Sequence, residues 1–173
     1  MKLTIGKGIQ AKAGLEFVKA FLKEHNTEAL QWVRFDFGSI RNSAEGRCLP
    51  PDGNLGYRIA CQFPKVFPRS IRISRHPIYR MDNGDWPCGK LKDNVTVQMD
   101  EKTGKQWVRQ YDIKVLEDQD ETAVWTFFNA AYHWIKDTGQ ADWDVKGRSN
   151  KIEADAYAEK MLKRFHKECK VHA

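Results

Sequence analysis

The stretch EDQDETAVWTFFNAAYHWIKDTG, Glu117–Gly139, decides the fold. It opens on clustered acids at Glu117, Asp118, Asp120 and Glu121 and closes on Lys136 and Gly139. That charge order complements a helix dipole at both ends, and the glycine supplies a C-terminal stop. Val124, Phe127, Phe128, Ala131 and Ile135 recur at helical spacing and form the expected apolar stripe. A linker, GQADWDVKGRSN (139–150), leads to a second helix through KIEADAYAEKMLKRFHKEC (151–169), with Ala154, Ala158, Met161, Leu162 and Phe165 facing inward. The small alanines allow the two helices to approach closely.

Upstream, the periodicity changes. GLEFVKAFLKEH (14–25) sets Leu15, Val18, Phe21 and Leu22 on one face of a first amphipathic helix. WVRFDFGSI (32–40) alternates Val33, Phe35 and Phe37 with Arg34 and Asp36, the period of a half-buried strand. NSAEGRCLPPDGNLG (42–56) is dense in turn formers and is expected to be an exposed loop. YRIACQF (57–63) and SIRISR (70–75) alternate again, and VTVQMDEKTGKQWVRQYDIKVL (95–116) predicts two strands around a turn at DEKTG. HPIYRMDNGDWPCGKLKDN (76–94) between them has loop composition, with Trp86 and Cys88 as its anchors. The expected fold is therefore α+β: an N-terminal helix, a small sheet, mostly antiparallel or mixed, and two C-terminal helices. The length of 173 residues suits one domain over 1–173, with a helix-plus-sheet part at 1–116 and a two-helix part at 117–173.

Composition narrows the classes of function. Apolar residues reach 41% with six Trp, enough to form a core despite 30% charged residues. Residues 1–116 hold 20 Lys and Arg against 12 Asp and Glu, whereas 117–173 hold 9 against 11, so the net charge of +6 arises in the first part. Such a surface favours DNA, RNA or an acidic protein as partner, and an ordinary solvated basic surface accounts for it equally. Within it KVFPRSIRISRHPIYR carries Lys65, Arg69, Arg72, Arg75 and Arg80 without an acid. Beside Phe67 and Tyr79 these five are candidate nucleic-acid contacts; the alternative is an edge strand whose charges deter sheet-to-sheet pairing. If SIRIS is a strand, Ile71 and Ile73 turn inward and Arg72 outward.

Cys48, Cys61, Cys88 and Cys169 form no C-x-x-C pair, so neither a zinc ribbon nor a thioredoxin-like site is indicated. IGKGIQAKAG lacks the ending of a phosphate loop, and no nucleophile elbow surrounds a Ser or Cys. With no signal-peptide pattern and no apolar run of membrane length, a cytoplasmic protein without a membrane partner is expected.

The last third, TAVWTFFNAAYHWIKDTGQ followed by GRSNKIEADAYAEKML, resembles the SprT-like, gluzincin-type minimal zinc metallopeptidase domains of bacteria and phages. Upstream the likeness rests on element order and on GRCLPPDGNLGYRIAC. In that family an H-E-x-x-H helix and a following helix with an acidic ligand meet at one zinc ion. Two His at i and i+4 share a helical face, and the Glu between them aligns the attacking water. The resemblance puts the first His at Asn129, the Glu at Ala130, the second His at His133 and the acidic ligand at Lys151.

It implies a zincin-like helix arrangement with a degenerate motif. The asparagine amide suits zinc poorly, Ala130 supplies no general base and Lys151 brings a cation where a dication would sit. The expectation is a pseudoenzyme without a cofactor, acting as a binding or structural module, with Lys151 filling part of the vacated site and donating to the Asn129 side-chain oxygen and to His133 or a nearby carboxylate. An active peptidase with an atypical zinc set, His133, Asp137, Glu153 and Asp155, is one alternative. A nucleic-acid-binding α+β protein unrelated to peptidases, with His133 as an ordinary polar helix residue, is the other.

Overall fold

The computed structural model describes residues 1–38, 43–140 and 150–170, and their architecture is α+β. The expected 139–150 linker lies outside them except at its ends, as do the last residues of WVRFDFGSI. Four strands form a mixed sheet in the order β1-β2-β4-β3, comprising β1 (Lys2–Ile5), β2 (Leu30–Phe37), β3 (Glu45–Leu49) and β4 (Tyr57–Phe63). β1, β2 and β4 run parallel, with Leu3, Val33 and Ile59 in register, and β3 returns antiparallel along β4. The β1–β2 pair needs a crossover, which α1 (Lys12–Lys23) provides.

A separate antiparallel sheet follows in the order β5-β7-β6, with β5 (Arg69–Tyr79), β6 (Val97–Met99) and β7 (Gln106–Leu116). The β6–β7 turn falls at DEKTG as expected. Asp100 Oδ1 accepts from the Lys102 amide, and Gly104 takes the positive φ that closes the turn. The chain ends in α2 (Gln119–Asp137), α3 (Asn150–Phe165) and a π-helical turn, His166–Lys170.

Thirteen of the nineteen residues of α2 are buried, so this helix is the centre of the molecule and not a surface helix with one apolar stripe. α1, α3, β3 and β4 all pack on it. Phe21, Phe127 and Phe128 meet edge to face, with ring centroids 4.8 Å apart for Phe21–Phe128 and 4.9 Å for Phe127–Phe128. Ile73 and Leu116 join the same hydrophobic cluster from the second sheet, so both sheets share one core.

Two glycines permit the closest approaches. A methyl group on Gly46 of β3 would overlap the Thr126 carbonyl of α2, and one on Gly14 of α1 would overlap the Asp120 carbonyl. Asp120 also accepts from the Gly14 amide at 2.8 Å, and Gln119 accepts from the Gln10 amide at 2.6 Å. The start of α2 thus caps the start of α1, whose own Ala11 has no capping side chain. Asp118 caps α2 itself by accepting from the Glu121 amide.

Three expectations need correction. The segment read as an exposed loop contains β3, because its inward positions are Gly46 and Cys48; the helix backbone lies so close that no large apolar side chain fits, and the strand loses its hydrophobic signature. His76–Tyr79 continue β5 beyond a bulge and are not loop. Two sheets replace one, and β1 adds a strand too short at four residues to show a period. The inward assignments of Ile73, Val124, Phe127, Phe128, Ala131, Ile135, Ala154, Ala158, Met161, Leu162 and Phe165 all hold.

Candidate functional site

Asn129 and His133 share one face of α2, as the i, i+4 spacing requires, but the residue that meets Asn129 from α3 is Asp155. Its carboxylate, 1% exposed, accepts from the Asn129 amide nitrogen at 2.7 Å and from the Ser74 backbone N–H of β5 at 2.7 Å. Lys151 lies outside this joint. Its side chain is 69% exposed and its Nζ is 3.9 Å from Asp155 Oδ1. The expected insertion of Lys151 toward Asn129 and His133 is therefore corrected: the buried group at the crossing is the Asp155 carboxylate, and the ammonium touches it only from the solvent side.

Ala130 faces the opposite way, with its methyl 3.2 Å from where a side chain on Gly46 would begin. A glutamate there would meet β3, so alanine is a packing requirement at this position. His133 is half-buried. Burial lowers its pKa below 6.5, the Asp137 charge opposes that shift and Lys136 adds to it.

The alternative zinc set is not gathered either. Asp137 accepts from the Tyr57 hydroxyl at 3.2 Å, whereas Glu153, 6% exposed, accepts from Lys136 Nζ at 2.7 Å and from the Tyr132 hydroxyl. Asp155 is held by Ser74 and Asn129. Among the described residues no three His, Cys, Asp or Glu side chains are grouped to hold a metal ion. The donors at the crossing thus do not fit zinc: an amide already paired, a carboxylate holding one N–H at each oxygen and a single imidazole. Cys48 offers no thiolate, since burial and then the Asp137 charge push its pKa up to about 11. A further carboxylate, Glu121, ties α2 to the π-helical turn by accepting from His166 at 2.8 Å. The two helices are joined by acids paired with neutral and cationic donors.

The second sheet presents different chemistry. Residues of one parity on β7, namely Trp107, Arg109, Tyr111, Ile113 and Val115, share one side of the sheet. On β5 the cross-strand partners of Tyr111 and Ile113 are Ser74 and Arg72, and Tyr79 stands opposite Trp107. Arg72 lies over the Tyr111 ring at 4.9 Å, and Tyr111 is 45% exposed. A cleft of about 270 Å³ continues this row, lined by Ser74, Arg75, Pro77, Tyr79, Trp107, Arg109, Lys151 and Ile152.

Of the five basic residues expected to contact nucleic acid, Arg72 belongs to this row. Arg75 borders the cleft, but its guanidinium is committed to Asp112 at 2.7 Å and Glu159 at 2.9 Å. Arg80 clamps the following loop through the Gly84 carbonyl and Gln106, with Trp86 beneath it. Lys65 and Arg69 are exposed at and just before the start of β5. Trp107, Arg109, Tyr111 and Lys151 were not among the expected contacts. The signal was present in WVRQY, where a period of two places an indole, a guanidinium and a phenol on one side.

No protein-family model, curated protein or solved structure matches the chain. Among the described residues no helix is long and apolar enough to cross a membrane.

Proposed function

We propose that the chain is a non-catalytic binding module that grips a single-stranded nucleic acid along the row Arg72, Tyr111, Arg109, Trp107, Tyr79 and Lys151. The α2–α3 crossing, where the resemblance would put a peptidase centre, is a structural joint in this reading. The supporting observation is the one-sided alternation of exposed cations with aromatic rings on an antiparallel sheet. Arginine and lysine pair with phosphates, and bases stack on the rings without regard to sequence, which is the chemistry of single-strand binding. The charge distribution agrees: residues 64–116, which contain this sheet, hold 11 Lys and Arg against 6 Asp and Glu. A ring-bearing surface favours a strand with exposed bases over a duplex, whose bases are stacked away.

Fluorescence anisotropy with labelled single-stranded and duplex oligonucleotides, titrated with salt, tests this. Three phosphate contacts, through Arg72, Arg109 and Lys151, predict a slope of log K against log salt of about −2 for a single strand. Trp107→Ala is expected to weaken binding by about fivefold or more, the effect of losing one stacked base. Equal affinity for duplex, or an unchanged affinity in Trp107→Ala and Arg109→Ala, would overturn the reading.

A further inference from the structure

The second sheet has two outer edges, and the chain treats them differently. The outer edge of β5 is engaged by α3, where Asp155 accepts from the Ser74 N–H and Glu159 from the Arg75 side chain. On the other side, β6 pairs with β7 only over Gln106–Val108. From Arg109 onward, β7 has no strand partner on that side among the described residues. Beside this open edge runs a groove of about 830 Å³, bounded by Arg109–Ile113 and by the loop that carries Lys90, Lys92 and Asn94–Thr96.

Such an edge normally bears devices against pairing, such as proline, a bulge or an inward charge. The run RQYDIKV, 109–115, has no proline, and beyond the β5 bulge that faces Arg109 its pairing is regular from Gln110 onward; it exposes Tyr111 at 45%, Ile113 at 60% and Val115 at 41%. Its sequence is self-complementary. If two copies pair antiparallel with Ile113 on the two-fold axis, Ile113 meets the partner's Ile113 and Tyr111 meets the partner's Val115. Asp112 then stands opposite the partner's Lys114. The charged pair in this register is of opposite sign, the exposed apolar residues Tyr111, Ile113 and Val115 meet apolar partners, and Gln110 stands opposite Leu116. Shifting the register by three positions, so that Arg109 faces the partner's Lys114, sets like charges together.

We infer that this face is an interface between two copies of the chain, formed by β7–β7 pairing about Ile113. A two-fold axis perpendicular to the sheet leaves both copies' Arg72 and Tyr111 on the same side, so the two three-stranded sheets become one continuous surface. The inference does not depend on what that surface binds.

Sedimentation velocity on the full chain tests it without nucleic acid present. The wild type is expected to dimerise with a Kd below about 100 µM. Ile113→Lys puts two ammonium groups face to face at an exposed position and is expected to weaken dimerisation at least tenfold, with circular dichroism unchanged. Lys114→Glu and Asp112→Lys are each expected to be monomeric, and an equimolar mixture of the two to dimerise again, because only the mixed pair restores opposite charges at both places. Oxidation of Ile113→Cys in a Cys88→Ser background is expected to yield a covalent dimer. A wild-type monomer throughout this range, a dimer indifferent to Ile113→Lys, or a mixture that stays monomeric would each overturn the inference.

Discussion

Replacing Asp155 with alanine removes one carboxylate and orphans two donors. The Ser74 N–H and the Asn129 amide each hydrogen-bond to it at 2.7 Å, and the carboxylate is 1% exposed, so water has little room to substitute. A buried donor left without a partner costs about 1–3 kcal/mol, which puts Asp155→Ala at about 2–6 kcal/mol. For a chain of this size the middle of that range lowers Tm by about 10 °C. Asp155→Asn retains an acceptor for Ser74, and Asn129 can rotate its amide to offer oxygen to the new NH₂ group. Only the charge assistance is lost, and about 1 kcal/mol is expected. Urea unfolding of Asp155→Ala, Asp155→Asn, Asn129→Ala and the Asp155→Ala/Asn129→Ala double variant gives the ranking and the coupling energy, expected at about 1–2 kcal/mol. A loss below about 0.5 kcal/mol for Asp155→Ala, the scatter of ordinary surface changes, would refute the assignment of this carboxylate as the joint between α2, α3 and β5.

Other perturbations follow from the same contacts. Gly46→Ala sets a methyl against the Thr126 carbonyl and is expected to destabilise by about 1–3 kcal/mol, measured by urea unfolding; a neutral result would mean that β3 does not press on α2. His133 is expected to titrate below 6.5 by NMR, since burial disfavours its cation, and Asp137→Asn is expected to lower it further by removing an opposing charge. With the folded pKa depressed, His133 contributes its full stability above pH 6.5 and loses it as pH falls toward the folded value; a midpoint at or above 6.5 would contradict this. Burial raises the pKa of Glu159, but the Arg75 hydrogen bond and the nearby charges outweigh it and hold the carboxyl below 4.5. Its contribution is therefore present above pH 4.5 and lost as pH falls through the folded value, so Glu159→Gln is expected to flatten the acid limb of the stability profile.

The sequence made the three helices legible because their apolar periods extend over ten residues or more, and β2, β4, β5 and β7 because they alternate. It concealed β3, whose core-facing Gly46 is small only because α2 lies against it, a fact of tertiary packing. The joint at Asp155 was hidden for a related reason. An acid at a buried helix position looks like a solvated residue until the Ser74 N–H of a strand eighty-one positions away is known to meet it. The H-E-x-x-H resemblance drew attention to the right helix pair and to Asn129, while the direction of Ala130 and the exposure of Lys151 depended on the crossing geometry. The basic stretch before Arg80 was conspicuous by composition, yet Arg75 and Arg80 are spent on internal partners, and the cations of the candidate row come largely from β7 and α3.

Photo-crosslinking of a single-stranded oligonucleotide to the wild-type chain, read by peptide mass spectrometry, tests the central claim most directly. Adducts on Tyr79, Trp107 and Tyr111, with none on Tyr132 or His133 at the helix crossing, are the predicted result. Adducts confined to the α2–α3 face, or no crosslink at low salt, would contradict it.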